Sequence, residues 1–95
     1  MPVITKVKVL NDKVSINYHL RKPYGYPDVK GIVDIPFESI DKLAEPPQEV
    51  GLGINSIHRI PIHPLDRTLV FIVDSFTDLD HGPNEQVLYG PYLIK

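Results

Sequence analysis

The sequence predicts an all-β protein, a single antiparallel β-sandwich of about seven strands with one short helical turn near residues 37–44. Three observations carry that expectation. Ten prolines and six glycines among 95 residues cut the chain into short pieces, a density of breakers that suits strands and turns rather than a helical bundle. The segment Lys13 to Arg21 alternates apolar and polar residues strictly, the period of a strand with one dry and one wet face. Hydrophobic residues make up 42% of the chain, enough for one core, and the length admits one domain covering residues 1–95.

Val3 to Leu10 opens a strand, with Val3, Val7 and Val9 on one face and Ile4, Lys6 and Lys8 on the other. Asn11-Asp12 reads as a tight turn, since short polar side chains tolerate turn dihedrals. In the strand that follows, Val14, Ile16, Tyr18 and Leu20 alternate with Ser15, Asn17, His19 and Arg21. Lys22 to Asp28 holds two prolines and a glycine and is a loop. Val29 to Ile35 is the next strand, with Val29, Gly31, Val33 and Ile35 on one side, and Pro36 ends it because proline donates nothing to a ladder.

Phe37 to Ala44 is the only helix candidate, with Phe37, Ile40 and Leu43 or Ala44 at helical spacing, and Pro46-Pro47 forbids continuation. Residues 45–53 form an irregular crossing. In Ile54 to Ile62, Ile54, Ile60 and Ile62 share one parity and Ile57 does not, so a bulge or a bend near Ser56 is expected, and Pro61 marks an edge strand or the end of one. Pro64-Leu65-Asp66 turns the chain into its most apolar strand, Arg67 to Asp74. There Leu69, Phe71 and Val73 lie on one face and Val70 and Ile72 on the other, so the strand is covered on both sides or meets a partner on its outer face. A loop, Ser75 to Glu85, leads to the last strand, Glu85 to Ile94. In it Val87, Tyr89 and Leu93 alternate with Leu88, Tyr92 and Ile94, and Gly90-Pro91 signals a bulge or kink.

The net charge of −2 argues against a dedicated nucleic-acid binder. Its distribution is uneven. Residues 1–30 carry six basic and two acidic groups, a net +4, and residues 31–95 carry four and ten, a net −6. This asymmetry fits electrostatic complementarity between neighbouring copies in an assembly. No cysteine is present, so the fold holds without disulfides and no thiolate zinc site exists. There is no run of 18 apolar residues and no signal-peptide pattern, from which a cytoplasmic or virion location and no membrane association are expected.

The run from Ile60 to Ile94 (IPIHPLDRTLVFIVDSFTDLDHGPNEQVLYGPYLI) resembles the last three strands of a fibronectin type III domain. It shares a proline-containing turn, an alternating penultimate strand, a glycine loop followed by an Asn-Glu pair, and a final strand. The resemblance covers about a third of the chain and implies an immunoglobulin-like sandwich. Two features depart from the family pattern. The chain has no tryptophan, so Ile16 or Tyr18 must fill the space of the family's second-strand Trp, and Thr68 and Val70 stand where a tyrosine is usual.

Tyr24 and Tyr26 stand in the loop PYGYPD, and tyrosine supplies large amphipathic contact area at low entropic cost in binding loops. The fibronectin resemblance puts the loop after the second strand and the loop before the last at one end of the sandwich. That places Tyr24 and Tyr26 beside Asp78, Asp80, His81 and Asn84, the candidate binding residues. Counted from Asp74 as an EF-hand-like loop, position 5 is Asp78 and position 12 is Glu85, but position 6 is Leu79 where glycine is needed. No metal ligand is assigned. His58 and His63 are five apart and face opposite sides of a straight strand. Ser75 lacks a G-x-S-x-G elbow, and Gly51-Leu52-Gly53 follows a proline-rich loop rather than a strand. The sequence therefore predicts a non-enzymatic protein-interaction or assembly module without cofactor, binding a protein partner or its own copies, in a setting such as a phage or other particle. The alternative is a small-ligand domain taking carbohydrate through the tyrosines or calcium through the Asp78 to Glu85 loop.

Overall fold

The computed structural model describes residues 2–23, 25–48, 54–78 and 82–95. They form six strands and one helical turn: β1 (Ile4–Val9), β2 (Lys13–Leu20), β3 (Val29–Pro36), α1 (Phe37–Ile40), β4 (Ile54–Ile62), β5 (Arg67–Asp78) and β6 (Gly82–Ile94). The protein is mostly β, as expected, and the strands make two antiparallel three-stranded sheets, β1-β2-β3 and β4-β5-β6. Among the described residues, six strands stand where about seven were expected. Each sheet uses strands consecutive in the chain, whereas the sheets of an immunoglobulin-type sandwich interleave early and late strands.

Side chains from both sheets meet in one buried cluster: Val14, Ile16 and Ile35 from the first sheet, Ile62, Leu69, Phe71 and Leu93 from the second, and Ile40 from α1. A smaller cluster of Val3, Leu20 and Val73 continues the core, with Ile4, Tyr18 and Leu88 packed against it. Alternation along β2 and β5 produces this arrangement, because each strand sends every second residue to the same side. The sheets also join at a corner. Beyond the end of β2, the Gln86 amide in β6 donates to the Arg21 carbonyl at 2.9 Å, and the Arg21 amide donates to Gln86 Oε1 at 2.8 Å.

Three local features differ from the sequence reading. Ile4 does not share the outer face with Lys6 and Lys8: the register shifts between Ile4 and Lys6, and the bulge turns Ile4 toward the core. The short helical turn expected near residues 37–44 is present as Phe37–Ile40, followed by a turn at Asp41 and Lys42 and a bend at Leu43. β4 has no bulge near Ser56 and pairs with β5 in unbroken register from Ile54↔Ser75 to Ile62↔Arg67, so Ile57 faces outward. The ends of the expected loop Ser75 to Glu85 belong to strands, since β5 runs on to Asp78 and β6 starts at Gly82. The expected edge position of β4 holds. The irregular crossing at 45–53 is described only as far as Gln48, where it lacks regular structure.

α1 is tied to the second sheet at its end. Arg67 Nε donates to Asp41 Oδ1 at 2.8 Å, and this hydrogen bond with the guanidinium charge holds the Asp41 carboxyl below its usual range and raises the Arg67 pKa in turn. On β2, Tyr18 faces Gly31 of β3, and a Cβ at residue 31 would overlap Cζ and the hydroxyl oxygen of Tyr18. A cross-strand aromatic thus covers a bare backbone position. Gly31→Ala is expected to cost roughly 1–2 kcal/mol by overpacking. Because the obstacle is the tip of a side chain, combining it with Tyr18→Val should recover part of the loss in a double-mutant cycle read by urea denaturation. Simple additivity would disprove the contact.

Candidate interaction surfaces

Three surfaces remain once the core is subtracted. The first is the end where the β2–β3 connection meets β6. Asp28 organises the connection: its Oδ1 accepts from the Lys22 amide at 3.2 Å, and its Oδ2 lies 3.2 Å from His19 Nε2. Lys22 reaches across to β6, with Nζ 3.2 Å from the Gln86 carbonyl and 3.6 Å from Glu85 Oε1. A hollow of about 220 Å³ lies among Pro2, His19, Arg21, Asp28 and Gln86. Tyr26 is exposed at 61%, with its amide bonded to the Pro23 carbonyl at 3.0 Å. Of the other residues expected at this end, Tyr24, Asp80 and His81 lie outside the described residues. Asp78 and Asn84 are placed by backbone alone, in the paired ends of β5 and β6. The β2–β3 connection does therefore sit against β6 at Glu85 and Gln86.

The second surface is the outer face of β1-β2-β3. Lys6 and Lys8 of β1, Lys13, Ser15, Asn17 and His19 of β2, and Lys30, Ile32 and Asp34 of β3 share it by register. Four lysines face one aspartate there. Asp34 takes a hydrogen bond from Ser15 and lies 3.4 Å from Lys13 Nζ, and both hold its carboxyl below the ordinary range. Ile32 projects at 63% exposure beside a hollow of about 490 Å³ lined by Thr5, Asn17, Tyr18, His19, Lys30 and Gly31.

The third surface is the outer face of β4-β5-β6. β5 is the central strand of its sheet, so the two apolar faces read in its sequence have separate destinations. Leu69, Phe71 and Val73 enter the core clusters. Val70 and Ile72 point the other way and are still buried, at 2% and 3%. By register Arg59 and Tyr92 flank Val70, and Ile57 and Tyr89 flank Ile72. Of these, Arg59, Ile57 at 44% and Tyr89 at 45% are open to solvent and Tyr92 is half-buried, with Ile94 exposed at 43% further along. One row along, Asp74 is half-buried and its Oδ1 has no hydrogen-bond partner.

The sequence reading put Tyr89 and Tyr92 on opposite faces. The structure corrects this, because the register shifts between Val70 and Ile72, setting Gly90 and Pro91 both against Phe71. One extra residue in β6 restores parity, so Val87, Tyr89, Tyr92 and Ile94 line the outer face and Leu88 and Leu93 the inner. The Gly90-Pro91 signal could have revealed it. Ile57, Arg59 and Ile32 carried no such signal.

Among the described residues, no group of three or more His, Asp or Glu side chains converges on one point, and no helix is long and apolar enough to cross a membrane. His58 Nε2 lies 3.3 Å from Ser56 Oγ, and Gly51, Leu52 and Gly53 fall outside the described residues. The chain matches no protein-family model, no curated protein and no solved structure with which it was compared.

Proposed function

We propose that this chain is a non-enzymatic protein-interaction or assembly module that meets protein through the outer face of β4-β5-β6. The observation that carries the reading is the apolar centre of that face: Val70 and Ile72 bordered by solvent-exposed Ile57, Tyr89 and Ile94. Contiguous apolar side chains rimmed by polar residues mark contact surfaces, and tyrosine is enriched in them. The finer fold reading, an immunoglobulin-like or fibronectin III-like domain, draws support from two antiparallel sheets around one core, although their meander order is not the family's. A cytoplasmic or virion setting, as a structural component of a phage or other particle, belongs to the same proposal.

Partner capture from a lysate of the source cells tests it, comparing the native chain with a variant carrying Ile57→Lys and Tyr89→Lys. Both positions are exposed, so folding should survive, which circular dichroism checks. A partner held by the native chain and lost by the variant supports the reading; equal capture overturns it. One observation favours the ligand-binding alternative, the hollow of about 490 Å³ beside Asn17, His19 and Lys30. A rise in melting temperature with millimolar sugar or calcium would favour it, since ligand bound only by the folded state stabilises that state.

A further inference from the structure

We propose that the outer face of β4-β5-β6 is covered by the same face of a second copy, related by a two-fold axis that lies between the sheets and crosses the strands at Ile72. The inference rests on the reading of that face as the contact surface and names its occupant. Three rows cross the face in register. Ile57, Ile72 and Tyr89 form the middle row. Arg59, Val70 and Tyr92 form one flanking row, and Asp74 with Val87 lies in the other. Val70 and Asp74 are equidistant from Ile72 along β5, each about 6.6 Å away at strand rise. A two-fold axis along the middle row therefore lays that row on its own copy, apolar against apolar. It also lays the Arg59 row over the partner's Asp74 row, and does so twice.

The charges fit this arrangement. Arg59 is exposed, and Asp74 is a half-buried residue whose Oδ1 is shut off from solvent without a hydrogen-bond partner; a buried acceptor left unpaired costs stability, which the carboxylate recovers by turning outward to meet the partner's guanidinium. Arg59 of β4 and Asp74 of β5 stand on adjacent strands, about 4.8 Å apart laterally. A flexible guanidinium side chain spans that offset between sheets stacked roughly 10 Å apart. Packing the same face on the lysine-bearing outer face of β1-β2-β3 would instead desolvate Lys6, Lys8 and Lys30 against isoleucine and tyrosine, which is unfavourable. Three strands over about eight residues bury on the order of 1,000 Å² in total, the lower limit of specific interfaces, so the dimer should be concentration-dependent.

The test is sedimentation of the purified chain from micromolar to millimolar concentration. The native chain should double in mass as concentration rises. Arg59→Asp and Asp74→Arg should each weaken the dimer roughly tenfold or more, and the double exchange should restore it. Arg59 is exposed, so Arg59→Asp alone decides the matter should Asp74→Arg fail to fold. A strict monomer overturns the proposal, as does growth beyond a dimer, or a dimer indifferent to Arg59→Asp. A monomer that still captures a partner through Ile57 and Tyr89 would leave the interaction-module reading standing, so the two failures are distinguishable.

Discussion

Gly90→Ala is expected to destabilise the protein by about 3 kcal/mol or more, through two costs that add. Gly90 has φ +121°, a backbone region that L side chains rarely occupy. A Cβ there would also lie 2.8 Å from the Val70 carbonyl oxygen and 3.2 Å from Phe71 Cδ1. The nearer obstacle is backbone of the central strand, which cannot retreat without disturbing its pairing on both sides. Against the ~5–14 kcal/mol that a domain of this size holds in reserve, this is a large fraction. Urea denaturation should show a lower midpoint with an unchanged slope. Phe71→Leu should not rescue the variant, because it relieves only the more distant contact. A loss under about 1 kcal/mol would mean that the bulge is looser than described.

Much of the fold was legible because β structure writes period two into the sequence. Val14 to Leu20 needed no tertiary information, since strict alternation specifies both the strand and its dry face. The two apolar faces of Leu69 to Val73 likewise announced a central strand. What could not be read was set by pairing between strands distant in the chain. Whether β3 lies beside β2 or in the other sheet is decided by packing, and both choices satisfy the same alternation. The bulge between Ile4 and Lys6 illustrates the second gap. One inserted residue moves Ile4 to the core without changing any local propensity, and nothing in VITKVK marks its place.

The candidate surface was legible in part for the same reason. The outer face of β5 could be foreseen as needing cover, but its flanks could not. From sequence alone Ile57 breaks the parity of its strand, while the continuous register of β4 makes it part of an apolar row. Tyr89 and Tyr92 were separated by parity until the Gly90-Pro91 bulge brought them together. Arg59 and Asp74 are fifteen residues apart, and only register shows that they flank one central row at equal distance. The tyrosine loop was the more conspicuous sequence feature, and of its two rings the structure describes Tyr26 alone.

Phe71→Ala is the other large effect, with an expected loss of about 3–5 kcal/mol from transfer and cavity costs. Phe71 is fully buried and belongs to the cluster that draws Val14, Ile16 and Ile35 from one sheet and Ile62, Leu69 and Leu93 from the other. Few neighbours can collapse into the space, since they are held by strands on both sides. For a domain of this length the loss should lower the melting temperature by at least about 12 °C, and Phe71→Leu, which preserves most of the volume, should cost much less. The comparison with Ile57 is decisive for the division of labour within this sheet. Ile57→Lys, at a half-exposed position facing away from the core, should leave the monomer's stability within about 0.5 kcal/mol while weakening association. If instead Phe71→Ala were mild and Ile57→Lys severe, the inner and outer faces of β4-β5-β6 would have to be exchanged.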